Sequence, residues 1–106
     1  MKNVSRMTVI VLTFTLVSST LALAQAGADT YKARCAMCHG PDGKGDTAMG
    51  KKFGLKDLGS ADVQGKSDAD LATTITKGKD KMPEYGSKLS KDQIDTLVKY
   101  IRSLKK

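Results

Sequence analysis

The segment Cys35-Ala36-Met37-Cys38-His39 holds the only two cysteines and the only histidine of a 106-residue chain. Two cysteines three residues apart lie on one side of a helical turn. From there both sulfurs can reach the two vinyl groups on one edge of a porphyrin and form thioethers. The residue directly after the second cysteine is then held against the porphyrin face, where an imidazole offers a nitrogen to iron. The C-x-x-C-H spacing therefore predicts one covalently attached haem c, anchored by Cys35 and Cys38, with His39 as an iron ligand. A structural zinc site needs four Cys or His ligands, and the chain has three. A thioredoxin-like redox pair needs a βαβ setting, and no alternating strand pattern is present.

Iron in haem has a sixth position, and no second His exists to fill it. Beyond the N-terminal segment the methionines are Met37, Met49 and Met82. Met37 lies inside the attachment motif and cannot fold back onto the opposite face. Met49 follows the motif by about ten residues and is expected to pack; a lone Met is commonly core filler. Met82 precedes Pro83, which biases it towards an extended backbone and projects its side chain from a loop. Forty-three residues separate it from His39, enough chain to wrap a haem. Met82 is the candidate second axial ligand.

These residues need elements to position them. The chain opens with a charged segment bearing Lys2 and Arg6, then the apolar run Thr8 to Val17, then Ser18-Ser19-Thr20 and a small-residue stretch. This is the pattern of a secretory signal. Ala22-Leu23-Ala24 fits cleavage before Gln25, and Ala24-Gln25-Ala26 fits cleavage before Gly27. The apolar run is too short to span a membrane comfortably. The expected organisation is a cleavable signal over residues 1–24 and one monohaem domain over residues 25–106. A domain of that size is marginal for a hydrophobic core alone. It has no Trp and a single Phe, Phe53, so a central cofactor would supply the missing apolar mass.

Helical spacing dominates the domain. Gly27, Tyr31 and Cys35 recur every four residues, predicting a helix from about Ala28 to Cys38. A short, ambiguous element lies around Thr47 to Leu58. Ser67, with Asp70 as its capping-box partner, opens a helix carrying Leu71 and Ile75 and ended by Gly78. Ser90 and Gln93 open the last helix, on which Ile94, Leu97, Val98, Ile101 and Leu104 share a face. The class is all-α.

The formal charge is +7, and loss of Lys2 and Arg6 leaves 16 cations against 11 anions. A basic surface can steer a protein onto acidic partners. Lys44, Lys51, Lys79, Lys81 and Lys88 are candidate docking residues. No nucleic-acid motif accompanies the charge. Gly40-Pro41-Asp42-Gly43-Lys44-Gly45 and Gly65-Lys66-Ser67 lack the full phosphate-loop arrangement and read as turns. Asp92 and Asp95 read as solvated, and Glu84 has no acid–base partner. With His39 on iron, no nucleophile–His pair remains.

The domain resembles the class I c-type cytochromes, particularly the short soluble bacterial and photosynthetic ones. The resemblance rests on the C-x-x-C-H-G run, the loop Gly40 to Gly45, Lys81-Met82-Pro83 and the helix from Ser90 to Leu104. It implies a cytochrome c fold of three to five helices around one haem, with His39 and Met82 as axial ligands. It also implies that Gly27 and Tyr31 of the first helix cross Leu97 and Tyr100 of the last. Many relatives carry a Pro about a dozen residues after the His, whose carbonyl orients the imidazole; here Met49-Gly50-Lys51-Lys52 has none. The implied function is a monomeric periplasmic one-electron carrier, or one in a thylakoid-lumen-like compartment, serving redox proteins with acidic docking faces. The resemblance also implies that it is not an enzyme and has no stable membrane insertion after cleavage. The alternatives are a subunit of a larger redox complex, or a haem sensor or enzyme if the Met ligand is labile.

Overall fold

The computed structural model describes residues 21–106. Most of the expected signal, residues 1–20, lies outside the described residues. Six helical segments follow in order. They are α1 over residues 21–34, α2 Ala36–His39, α3 Ala48–Phe53, α4 Ala61–Gln64, α5 Asp68–Lys77 and α6 Lys91–Ser103. Among the described residues no strand forms, and the extended pairing is an isolated bridge between Lys79 and Met82. The all-α expectation holds. The count exceeds three to five because α2 and α4 are single turns of four residues each. A single turn is too short to show a hydrophobic period.

α1 departs from its expected bounds at both ends. It is already helical at residue 21, because Leu21 to Ala26 are good helix formers and the Gln25 amide donates to Asp29 one turn on. It does not run through to Cys38. The chain turns at Cys35 and re-enters a helix at Ala36.

α6 is the best-specified element. The Ser90 hydroxyl accepts from the Gln93 amide at 3.1 Å, and the Gln93 side chain accepts from the Ser90 amide at 2.9 Å, completing the capping box. At α5 the box is half made: Ser67 accepts from the Asp70 amide, but no return bond from the Asp70 carboxylate forms. Asp is one methylene shorter than the Glu or Gln that normally reaches back. Leu104 caps α6 and is half-buried rather than in the core.

The core is one cluster of Tyr31, Val63, Leu71, Ile75, Leu89, Ile94, Leu97, Val98 and Ile101. Its centre is the α1–α6 crossing, where Leu97 and Tyr31 are 1% and 2% exposed. The helices approach so closely at Gly27 that a Cβ there would sit 2.7 Å from the Thr96 carbonyl oxygen. The Tyr31 and Tyr100 rings meet at 4.7 Å, tilted by 37°. The expected contact of Gly27, Tyr31, Leu97 and Tyr100 is present. Arg102 then ties α6 to the chain around α4 and α5. Its guanidinium pairs with Asp68 at 2.9 Å and donates to the Gln64 and Lys66 carbonyls.

Candidate haem site

The attachment segment is held from both sides. On one side, the Tyr31 hydroxyl donates a buried 2.6 Å bond to the Gly40 carbonyl. Burial, with Cys35 adding to it, keeps this phenol protonated well above the usual range. On the other side, the Thr47 hydroxyl donates to the Cys38 carbonyl at 2.6 Å and accepts from the Gly50 amide at 2.9 Å as the cap of α3. A Cβ at Gly50 would lie 2.7 Å from the Cys38 carbonyl oxygen, so only glycine lets α3 back this closely onto the segment. Cys35, Cys38 and His39 are thereby fixed on one turn, with the His39 amide bonded to the Cys35 carbonyl at 3.0 Å.

That turn forms part of the wall of a cavity of about 330 Å³. Cys35, Cys38, His39 and Met82 all line it, together with Phe53, Leu55, Pro83 and Tyr85. Every residue predicted from sequence to hold the cofactor is therefore brought to one cavity. The two thiols are free and half-buried. Burial, reinforced by Cys38, pushes the Cys35 thiol up to about 11.

His39 is half-buried, and burial lowers its pKa, so the imidazole is neutral at pH 7 and keeps a free lone pair. Its Nδ1 is buried without a hydrogen-bond partner. An orphaned buried polar atom is costly unless some group completes it. The stretch Met49–Lys52 supplies no acceptor, in keeping with its missing Pro.

Met82 sits in a tight turn rather than an open extended loop. Its amide donates to the Lys79 carbonyl at 2.9 Å, and the Lys79 amide returns a bond to the Met82 carbonyl at 3.2 Å. Asp80 takes the positive φ of 54° that closes the turn, a conformation Asp tolerates. Of the other methionines, Met37 is 81% exposed, as its place in the motif requires. Met49 does not pack as expected. It lies on the outer side of α3, 39% exposed, because buried Gly50 beside it is the face turned to the attachment segment.

Cations line the same cavity. Lys79 and Lys81 were legible as docking candidates; Arg34 and Lys56 were not, since only the fold carries them there. Lys44, Lys51 and Lys88 are exposed but do not line the cavity. Tyr85 was also missed, having no local signal beyond its closeness to Met82.

A free-thiol pair, an unpartnered imidazole and a thioether around one largely apolar cavity fit a covalently held haem. Comparison with known proteins agrees. Residues 22–101 match the family model described as cytochrome c oxidase, cbb3-type, subunit III. The chain is 38% identical over 82 residues to the cbb3-type cytochrome c oxidase subunit FixP of Azorhizobium caulinodans, covering 76% of this chain but only 27% of FixP. It is 33% identical over 76 residues to cytochrome c6 of Microcystis aeruginosa, covering 71% of this chain and 89% of that protein. The solved structure of the KustC0563 c-type cytochrome superposes with a TM-score of 0.71 at 30% identity, covering 76% of this chain and 98% of that one. The chain belongs to this cytochrome c family and is a small class I c-type cytochrome, a family that carries covalently bound haem c and its iron. Its similarity is shared between cytochrome c6 proteins, most of whose length it covers, and a part of longer cbb3-type oxidase subunits, of which it spans less than a third.

Proposed function

We propose that the chain is an exported one-electron carrier. Cys35 and Cys38 would hold haem c through thioethers, and His39 and Met82 would supply the protein ligands of its iron. When bound, haem c supplies one reversible electron between the ferric and ferrous states. The observation that carries this reading is the convergence of both thiols, His39 and Met82 on one cavity of about 330 Å³. His39 contributes a neutral nitrogen, kept neutral by burial. Met82 contributes a soft, neutral thioether, which favours the reduced metal and raises the potential. With His39 and Met82 both given to the iron, no position would remain for a substrate, which is consistent with a role outside catalysis. The apolar wall excludes water and works in the same direction, since the ferric state carries the extra charge.

Arg34, Lys56, Lys79 and Lys81 outnumber Asp80 around the cavity, and although Lys56 also pairs with Asp62 at 3.3 Å the balance is positive, which suits brief docking of acidic redox partners. Residues 1–24 serve as the cleaved export signal, and residues 25–106 work as a monomer in the periplasm or a similar compartment. Among the described residues no helix is long and apolar enough to cross a membrane.

The test is an optical spectrum and redox titration of the chain matured with haem c, beside Met82→Ala. The far-red band of Met-ligated ferric haem should appear in the parent and vanish in the variant. The midpoint should fall on the order of 0.2 V, within the roughly 0.8 V range that axial ligands govern. A parent without that band, binding carbon monoxide readily when reduced, would instead point to a sensor or enzyme.

A second reading is a domain of a larger oxidase complex, favoured by the family model and by FixP. Persistent co-purification with a cytochrome c oxidase would support it; recovery as a free monomer supports the carrier.

A further inference from the structure

The turn that carries Met82 is anchored at three points. Its tip is closed by the paired bonds between Lys79 and Met82. Its base is tied to the last turn of α5, where the Tyr85 amide donates to the Ile75 carbonyl and the Gly86 amide to the Thr76 carbonyl, each at 3.0 Å. The third anchor crosses the molecule. The Tyr85 hydroxyl donates to the Arg34 carbonyl at 3.1 Å, spanning 51 residues. Arg34 directly precedes Cys35, and Arg34, Cys35, Met82 and Tyr85 all line the cavity. Among the described residues this is the only hydrogen bond between the segment 78–86 and α1. The two bonds to α5 fix the backbone at Tyr85 and Gly86, and the Tyr85 hydroxyl ties the same residue across to α1.

We propose that Tyr85 is a positioning residue whose hydroxyl latches the Met82 turn to the cysteine-bearing end of α1, keeping the sixth iron position closed to outside ligands. The inference rests on the reading that Met82 is the sixth ligand. The ring packs against the core cluster and the hydroxyl alone makes the bond, so Tyr85→Phe removes the latch and keeps the packing.

Imidazole, titrated into the ferric haem-loaded protein, is the probe. It binds only when Met82 leaves, so its apparent affinity scales with the open fraction. Loss of one exposed hydrogen bond should raise that affinity about five-fold. The far-red Met band should persist without imidazole. Unchanged imidazole affinity in Tyr85→Phe, with the Met band present in the parent, would overturn the latch and leave Met82 ligation standing. A lowered melting temperature with unchanged affinity would do the same, since it marks a purely structural hydroxyl. Absence of the Met band from the parent would remove the ligand reading and the latch together.

Discussion

The buried Tyr31 hydroxyl donates at 2.6 Å to the Gly40 carbonyl, so the helix that enters the core also holds the backbone just beyond His39. One side chain thereby couples the α1–α6 crossing to the C-x-x-C-H turn. Stability and site geometry are expected to change together when it is altered.

Tyr31→Phe should lower stability by about 0.5–1.5 kcal/mol, because it removes a buried hydrogen bond while the Gly40 carbonyl keeps its 3.2 Å bond from the Gly43 amide. Guanidinium unfolding of the haem-loaded protein measures this. The pH dependence has a definite sign. Burial raises the Tyr31 pKa above its ordinary value of 10.0, so above that pH the unfolded chain releases a proton that the folded one retains. Stability should therefore fall as pH climbs past 10, and the Phe variant should lose less over that window. Parallel curves for the two proteins would contradict the assignment.

Gly27→Ala places a Cβ 2.7 Å from the Thr96 carbonyl, and backbone cannot yield as a flexible side chain would. The helices must separate, at a cost of about 1–3 kcal/mol typical of overpacking. The denaturation midpoint should drop, whereas Ala28→Ser one residue away should change it little.

Reversing the cavity cations, with Lys56→Glu and Lys79→Glu together, should slow electron transfer with an acidic partner at low salt by about ten-fold or more. The difference should shrink as ionic strength rises towards physiological values. Stopped-flow rates across a salt series test this, and a Lys44→Glu control away from the cavity should behave nearly like the parent.

Without haem the domain should lose its fixed tertiary structure. Nine core residues bury little for a domain of this length, and the cavity adds unfilled apolar wall. Cys35→Ala with Cys38→Ala, produced without haem maturation, should show weak near-ultraviolet dichroism and a broad thermal transition. A sharp, cooperative transition would show that the protein core suffices.

Much of the site was legible because its signals are local. The C-x-x-C-H spacing is a property of one helical turn, and the Ser90–Gln93 box and the apolar face of α6 are properties of one helix. Other features have no local signature. The turn α4 is shorter than any hydrophobic period, and the break at Cys35 interrupts a pattern that reads as continuous. Met49 looks like filler until Gly50 is seen to claim the inward face. Asp70 fits the capping pattern, but its carboxylate makes no return bond.

The sequence by itself determined the cofactor chemistry and the helical class and offered the candidate residues to hold the cofactor, because thiol spacing, imidazole and thioether are fixed covalently along the chain. Only the tertiary structure decided that Met82 shares a cavity with His39, that Arg34 and Lys56 join Lys79 and Lys81 around it, and that Tyr85 reaches Arg34. Those relations depend on how α1, α5 and α6 cross. The crossing is set by close packing among residues far apart in sequence, at Gly27 against Thr96 and Tyr31 against Tyr100.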